Sequence, residues 1–242
     1  MKRIIAAALL FAGMAFASTI LTPTGVDWSR GASIWMNENG SDIQAYFAGV
    51  IYISLQENGL QYDRDTLCVD LFTDIVLGVT YDTTVLHPSQ VSGKNLDRVS
   101  WLVDNALLPT QNSHYLSDLP KTDWVFSAAQ GAGIQLAIWD IVHDQGDGFS
   151  AGSVRASTNP SHPTDPQVLS WAQTYQALSA GKSSGLAFIY DNVDRVSGQP
   201  AQMLAGPLFT DAGPSPNPEP PTLALMGTAL ILVGSMRRKR RG

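Results

Sequence analysis

A single cysteine, Cys68, stands among 242 residues, so no intramolecular disulfide can brace this chain. Positive charge is nearly as scarce. Seven of the 15 basic residues lie at the extreme ends (Lys2, Arg3, Arg237, Arg238, Lys239, Arg240 and Arg241), leaving eight against 20 acids between Ser18 and Gly213, a net charge near −12. Such a surface excludes nucleic acid as a partner and suits amine-bearing molecules, divalent cations or neutral glycans. The four histidines show no zinc spacing, and there is neither a phosphate-binding glycine loop nor a Gly-x-Ser-x-Gly elbow, so no cofactor or resident metal is expected. Asp144-Gln145-Gly146-Asp147-Gly148 hints at a calcium loop but lacks the spaced oxygen ligands and closing Glu of an EF-hand; it reads as a turn after a helix. No internal repeat is visible.

What is present begins at the termini. Lys2 and Arg3 precede an apolar run that ends in Ala15-Phe16-Ala17, the pattern of a cleaved signal peptide over residues 1–17. Residues 18–213 are then an exported ectodomain, long enough for one sizeable core. A proline-rich linker covers 214–221, an apolar stretch 222–236, and a basic tail 237–242. Fifteen helical residues rise about 22 Å against a hydrocarbon core of about 30 Å, so the stretch spans a membrane only with local thinning. The tail's cations belong on the cytoplasmic side.

Within the ectodomain, Ile43, Ala45, Phe47, Ile51, Ile53 and Leu55 alternate with polar residues and predict a strand, and Asn58-Gly59 predicts a hairpin turn. Two more strands are expected over Thr66 to Phe72 and Ile75 to Tyr81, which would put Cys68 mid-strand on one face with Asp70 and Phe72. Asp70 itself reads as no more than a strand-end carboxylate. From about residue 95 to 181 the period becomes helical. Leu96, Val99, Val103 and Ala106 form one stripe; Ala129, Gly133, Ala137, Ile138 and Ile141 form a second, ending before Gly146. A third helix opens with Thr164 or Asp165 as cap and Pro166 in its first turn, and stops at Gly181. Strand character returns over Leu186 to Tyr190 and Met203 to Thr210. The expected class is α+β: a β-sandwich or partial barrel interrupted by a helical insertion.

The ordered tail Pro218-Glu219-Pro220, apolar helix, Arg237 to Arg241 resembles the PEP-CTERM sorting signal of exported bacterial proteins. That resemblance implies an exosortase-type protease as partner, a membrane-anchored precursor, and a mature form at the cell surface or in the extracellular matrix; the alternative is a plain single-span anchor. The interior resembles the Cys-Gln thioester domains of bacterial surface adhesins, with Leu67-Cys68-Val69 matching one motif and Gln135-Leu136-Ala137-Ile138-Trp139 the other, Ile134 replacing a frequent Thr. The resemblance implies a bond between Cys68 sulfur and the Gln135 side-chain carbonyl that captures an amine-bearing surface protein or glycan, giving adhesive or matrix crosslinks. Trp139, one helical turn from Gln135, and Phe72 are candidates for shielding it from water, and His143 is the first candidate for a base, ahead of His87 and His114.

Other readings stand beside this one. Cys68 is also an ordinary buried hydrophobe or an intermolecular linker, Gln135 an ordinary solvated helix residue, and His143 a partner of the helix dipole. A noncovalent structural or glycan-binding matrix protein would use exposed Trp and Tyr residues instead. An enzyme is not expected, since cysteine hydrolases place their nucleophile at a helix N-terminus, where the dipole lowers its pKa.

Overall fold

The computed structural model describes residues 19–57, 60–71, 73–107, 125–183 and 187–206. The expected signal peptide, His114 and the whole C-terminal tail with its expected sorting motif lie outside the described residues, as do Phe72 and the Asn58-Gly59 pair. Among the described residues no helix is long and apolar enough to cross a membrane.

Among the described residues, seven strands and three α-helices follow in the order β1 (Thr19–Glu38), β2 (Ser41–Glu57), β3 (Leu60–Cys68), β4 (Tyr81–Leu86), α1 (Leu96–Ala106), α2 (Ala128–Asp144), β5 (Val154–Ala156), α3 (Pro166–Ser179), β6 (Phe188–Asp194) and β7 (Leu204–Gly206). All three helices fall between β4 and β6, and every strand pairing is antiparallel. The class is the α+β arrangement the periodicities predict.

The first hairpin carries a signal that the sequence reading passes over. Asn39 and Gly40 both take positive φ (50° and 93°) between the paired Glu38 and Ser41, the conformation a two-residue type I′ turn demands and for which Asn-Gly is the favoured pair. β2 and β3 then pair from Glu57↔Leu60 to Ile51↔Thr66, the hairpin expected around residues 58–59.

Neither a sandwich nor a partial barrel results. β1 pairs β2, β2 pairs β3, β3 pairs β7, β7 pairs β6, β6 pairs β4, and β4 returns to β1, so six strands close on themselves and β5 extends only the distal end of β1. Closure leaves fewer unpaired edges than an open sheet of these strands would. Two other expectations are corrected. No strand covers Ile75 to Tyr81: Leu77 and Gly78 form a turn there, and the next strand starts at Tyr81. β3 stops at Cys68 instead of running on to Phe72, so the residue ends a strand and the alternation linking it to Asp70 does not apply.

The core is apolar from both sides of the ring. Leu21, Met36, Val50, Ile53, Leu67, Val69, Leu204 and Ala205 are fully buried together with the inner faces of α1 and α2. α2 is buried all round, from Gln130 to Val142 without interruption, because it lies between α3 on one side and β1 with β2 on the other. Two glycines permit this. A Cβ at Gly133 would stand 2.6 Å from the Trp171 Cβ of α3, and one at Gly131 would overlap the Arg30 carbonyl oxygen of β1. The helix begins at Ser127, whose Oγ accepts from the Gln130 N–H, and ends at Gln145 in the left-handed conformation (φ 62°). Asp165 caps α3 through the Gln167 N–H, with Pro166 next, as expected.

Candidate functional site

β3 and α2 bring together two residues that lie 67 positions apart. The β2–β3 ladder ends at Ile51↔Thr66, two residues before Cys68. On the other side β7 continues, pairing Leu67↔Ala205 and Cys68↔Leu204, with the Val69 N–H donating to Met203 O at 2.8 Å. Past the end of that ladder, both backbone groups of Cys68 turn to α2. The Cys68 N–H donates to Gln135 Oε1 at 2.9 Å, and Gln135 Nε2 donates to Cys68 O at 2.6 Å. The carboxamide thus takes the place of the missing strand, in the two-bond pattern of an antiparallel partner.

This pair is dry. Gln135 is fully buried and Cys68 is 4% exposed, so the Gln is not the solvated helix residue that its type alone would allow. The chain neighbours Leu67, Val69, Leu136 and Ile138 are buried too, and so is Trp139, one helical turn beyond Gln135. Burial pushes the Cys68 thiol well above its ordinary pKa, with Asp70 and Asp74 acting in the same sense. The sulfur is therefore a neutral thiol at pH 7, and no helix N-terminus favours its thiolate.

His143 stands on α2, eight residues past Gln135, about 12 Å along the helix axis. The fold does not seat it on the Cys-Gln pair. Its electrostatic neighbours are Asp70, Lys94 and Asp144; burial, the largest influence, and Lys94 lower its pKa, while Asp70 and Asp144 oppose them. Neutral imidazole is the dominant form near pH 7. Asp70, two residues beyond Cys68, is more than a strand-end carboxylate: it holds Lys94 Nζ at 2.8 Å, and its backbone carbonyl accepts from Gln202 Nε2 at 2.7 Å. His87 belongs elsewhere, capping the short 3-10 turn Pro88–Gln90.

A second polar cluster went unnoticed in the sequence. β1 bulges between Val26↔Ile51 and Gly31↔Gly49, which throws Asp27 to Arg30 out of the ladder. Arg30 bridges Asp27 (2.6 Å) and Asp65 on β3 (2.7 Å), and Tyr52 donates to Asp27 at 2.6 Å. The bonds from Ser29, Tyr52 and Arg30 outweigh the opposing effect of burial and hold the Asp27 carboxyl far below the usual carboxylate range. Trp28, within the bulge, is 61% exposed and leans edge-on against Phe47 at 5.0 Å between ring centres. The only local signal was the charge-rich Asp27-Trp28-Ser29-Arg30 run inside an otherwise strand-like stretch.

No family model matches the chain, and no curated protein matches it. One solved structure, the N-terminal domain of the Streptococcus pyogenes pilus tip adhesin Cpa, is similar over 78% of this chain and 98% of that one, at 10% identity and a TM-score of 0.39. The likeness assigns no residue a role.

Proposed function

We propose that this chain is an exported surface protein in which Cys68 and Gln135 condense to an internal thioester that captures amines on a surface protein or glycan, forming adhesive or matrix crosslinks. The observation that carries the reading is the double hydrogen bond between the Gln135 carboxamide and the Cys68 backbone.

In the forming step, Cys68 Sγ attacks Gln135 Cδ. The S–Cδ bond forms, the Cδ–Nε2 bond breaks, and the thiol proton leaves with the nitrogen as ammonia. Negative charge gathers on Oε1 during attack, and the Cys68 N–H already donates to that oxygen in a dry site, which is where a fixed donor lowers a barrier most. With the thiol neutral, proximity must do what ionisation does not; alignment of this kind is worth about 7 kcal/mol or more. In capture, an amine nitrogen attacks Cδ, the sulfur departs and regains a proton, and an amide remains. A lysine amine with pKa about 10.4 is unprotonated in roughly one molecule in 2,500 at pH 7, a deficit of about 4.6 kcal/mol. His143, about 12 Å along α2 from Gln135, is too far to take a proton from an amine at Cδ directly, so capture draws on the unprotonated fraction of the amine. Trp139 keeps water away.

Under the same proposal an exosortase-type protease recognises Pro218-Glu219-Pro220 and the basic tail, the apolar segment holds the precursor in the membrane, and the mature form resides at the cell surface or in the matrix. Intact mass of the purified chain tests the central step. The expected mass is one ammonia below that of the sequence, with Cys68 resisting alkylation until methylamine opens the bond; Cys68→Ala restores full mass and abolishes methylamine uptake. Full-mass wild-type protein whose Cys68 alkylates freely after mild unfolding refutes it.

A second reading, noncovalent glycan binding, is favoured by exposed Trp28, edge-on to Phe47 and flanked in the same bulge by the Asp27–Arg30 pair. Glycan retention that survives Cys68→Ala and disappears in Trp28→Ala would select it.

A further inference from the structure

At the opposite end of α2 from its cap, three carboxylates converge. One oxygen each from Asp140, Asp144 and Asp147 lie within 4.8 Å of one another. Asp140 is on the last buried turn, Asp144 is the final helical residue, and Asp147 is exposed in the loop. The left-handed Gln145 and the positive φ of Gly146 (79°) and Gly148 (103°) fold the chain back so that Asp147 faces the helix end. The turn expected from the sequence does form, and it is what assembles the acids.

Three anions at a helix C-terminus are mutually repulsive and also oppose the negative end of the helix dipole. Their existing partners leave capacity unused. Asp144 accepts from the Ser153 and Val154 N–H groups at 2.6–2.8 Å. Asp140 Oδ2 accepts from Gln176 Nε2, but Asp140 Oδ1, on a residue with no exposed surface, has no hydrogen-bond partner. An orphaned carboxylate oxygen in the interior is costly, and such groups are normally paired or bound to a metal. Arg98 brings one positive charge against three negative ones, and its guanidinium donates to Gln145 O, Gln176 O and Ser179 Oγ. Burial, then Asp147 and Asp144, raise the Asp140 pKa to about 7, with the Gly148 N–H and Arg98 opposing.

From this geometry we propose a divalent cation site, of calcium type, formed by Asp140, Asp144 and Asp147. The donor set is all oxygen, with no sulfur or imidazole among the three, which selects a hard cation. Opposite ligands around calcium stand up to about 5 Å apart, so the three oxygens fit one coordination sphere, and exposed Asp147 gives the ion access from solvent. The site is independent of the Cys68–Gln135 pair, although it closes the same helix and ties it, through Asp144, to β5.

The test uses the full-length chain, stripped of divalent ions by a chelator and titrated with calcium chloride and, separately, magnesium chloride, followed by calorimetry and thermal unfolding. The expected result is one calcium site of roughly 0.1–1 mM Kd, as in extracellular modules, with a rise in Tm and a weaker magnesium response. Asp147→Asn, at an exposed position, weakens binding about tenfold or more. Asp140→Asn folds and loses the calcium-dependent rise. The proposal is overturned by a wild-type protein that shows neither heat nor Tm shift up to about 10 mM calcium. It is equally overturned if both variants bind as the wild type does, or if magnesium binds as tightly as calcium.

Discussion

Replacing Gln135 by Glu, in a Cys68→Ala background that keeps the backbone of residue 68 but forbids any thioester, reads the central contact directly. A protonated Glu reproduces the carboxamide: its carbonyl accepts from the residue 68 N–H, and its O–H donates to the residue 68 carbonyl. An ionised Glu turns a lone pair toward that carbonyl in a fully buried site. Both the desolvation and the facing oxygen raise its folded pKa above the unfolded value of about 4.3. With the acid's pKa raised, the double variant is closest to the Cys68→Ala parent below about pH 4.3, loses stability as pH rises through the folded pKa, and levels off above it. A rise of about 3 units, ordinary for a buried carboxyl, corresponds to about 4 kcal/mol lost by about pH 7.3. That is a large share of a typical stability of 5–15 kcal/mol. Urea unfolding of both proteins at intervals from pH 4 to 8 measures the difference. A gap between them that stays constant across this range would mean that residue 135 does not face the strand, and the reasoning would fail.

Two further outcomes follow from the packing. Gly131→Ala places a methyl on the Arg30 carbonyl and forces α2 off the β1 bulge; a loss of about 3 kcal/mol or more is expected in denaturant unfolding, with Gly78→Ala as a comparison where added atoms meet open space but φ is positive. Asp27 has a folded pKa below its unfolded value of about 3.9, so its contribution is present above that pH and fades as pH falls. Asp27→Asn therefore lowers Tm at pH 7, and the gap narrows as pH falls from about 4 to about 2; an equal Tm difference at pH 7 and pH 2 would refute the Arg30 and Tyr52 pairing.

The helices were legible because their signals are local. Asp165 and Pro166 open α3, and the stripe from Leu96 to Ala106 is α1 residue for residue. The strands were legible only where a period of two persisted, as in β2. Closure of the ring was not, since it depends on β4 meeting both β1 and β6 in register, a long-range choice that leaves no periodic trace in either segment. Asn39-Gly40 was readable and was missed, because bulges at Pro23, Val26 and Ala32 break the alternation that would have framed it. In the candidate site, Cys68 and Gln135 could be named from their neighbours, whereas the strand's end at Cys68, which frees its peptide for the carboxamide, is set by where β2 departs. His143 illustrates the reverse case: it was named for lying two turns beyond Gln135, yet that rise of about 12 Å keeps it from the sulfur. Asp140 gave no signal at all, because its burial comes from α3 packing across it through Gln176.

Closure of the ring also fixes how the molecule bears load. The chain leaves its last described strand, β7, immediately beside the one that ends in Cys68, joined through Leu67↔Ala205, Cys68↔Leu204 and the Val69 to Met203 bond. Tension applied through the C-terminal segment enters at that three-residue stave and crosses one short ladder before reaching the sulfur-bearing strand. Because β3 and β6 flank this stave on either side, it cannot be drawn out without breaking both ladders.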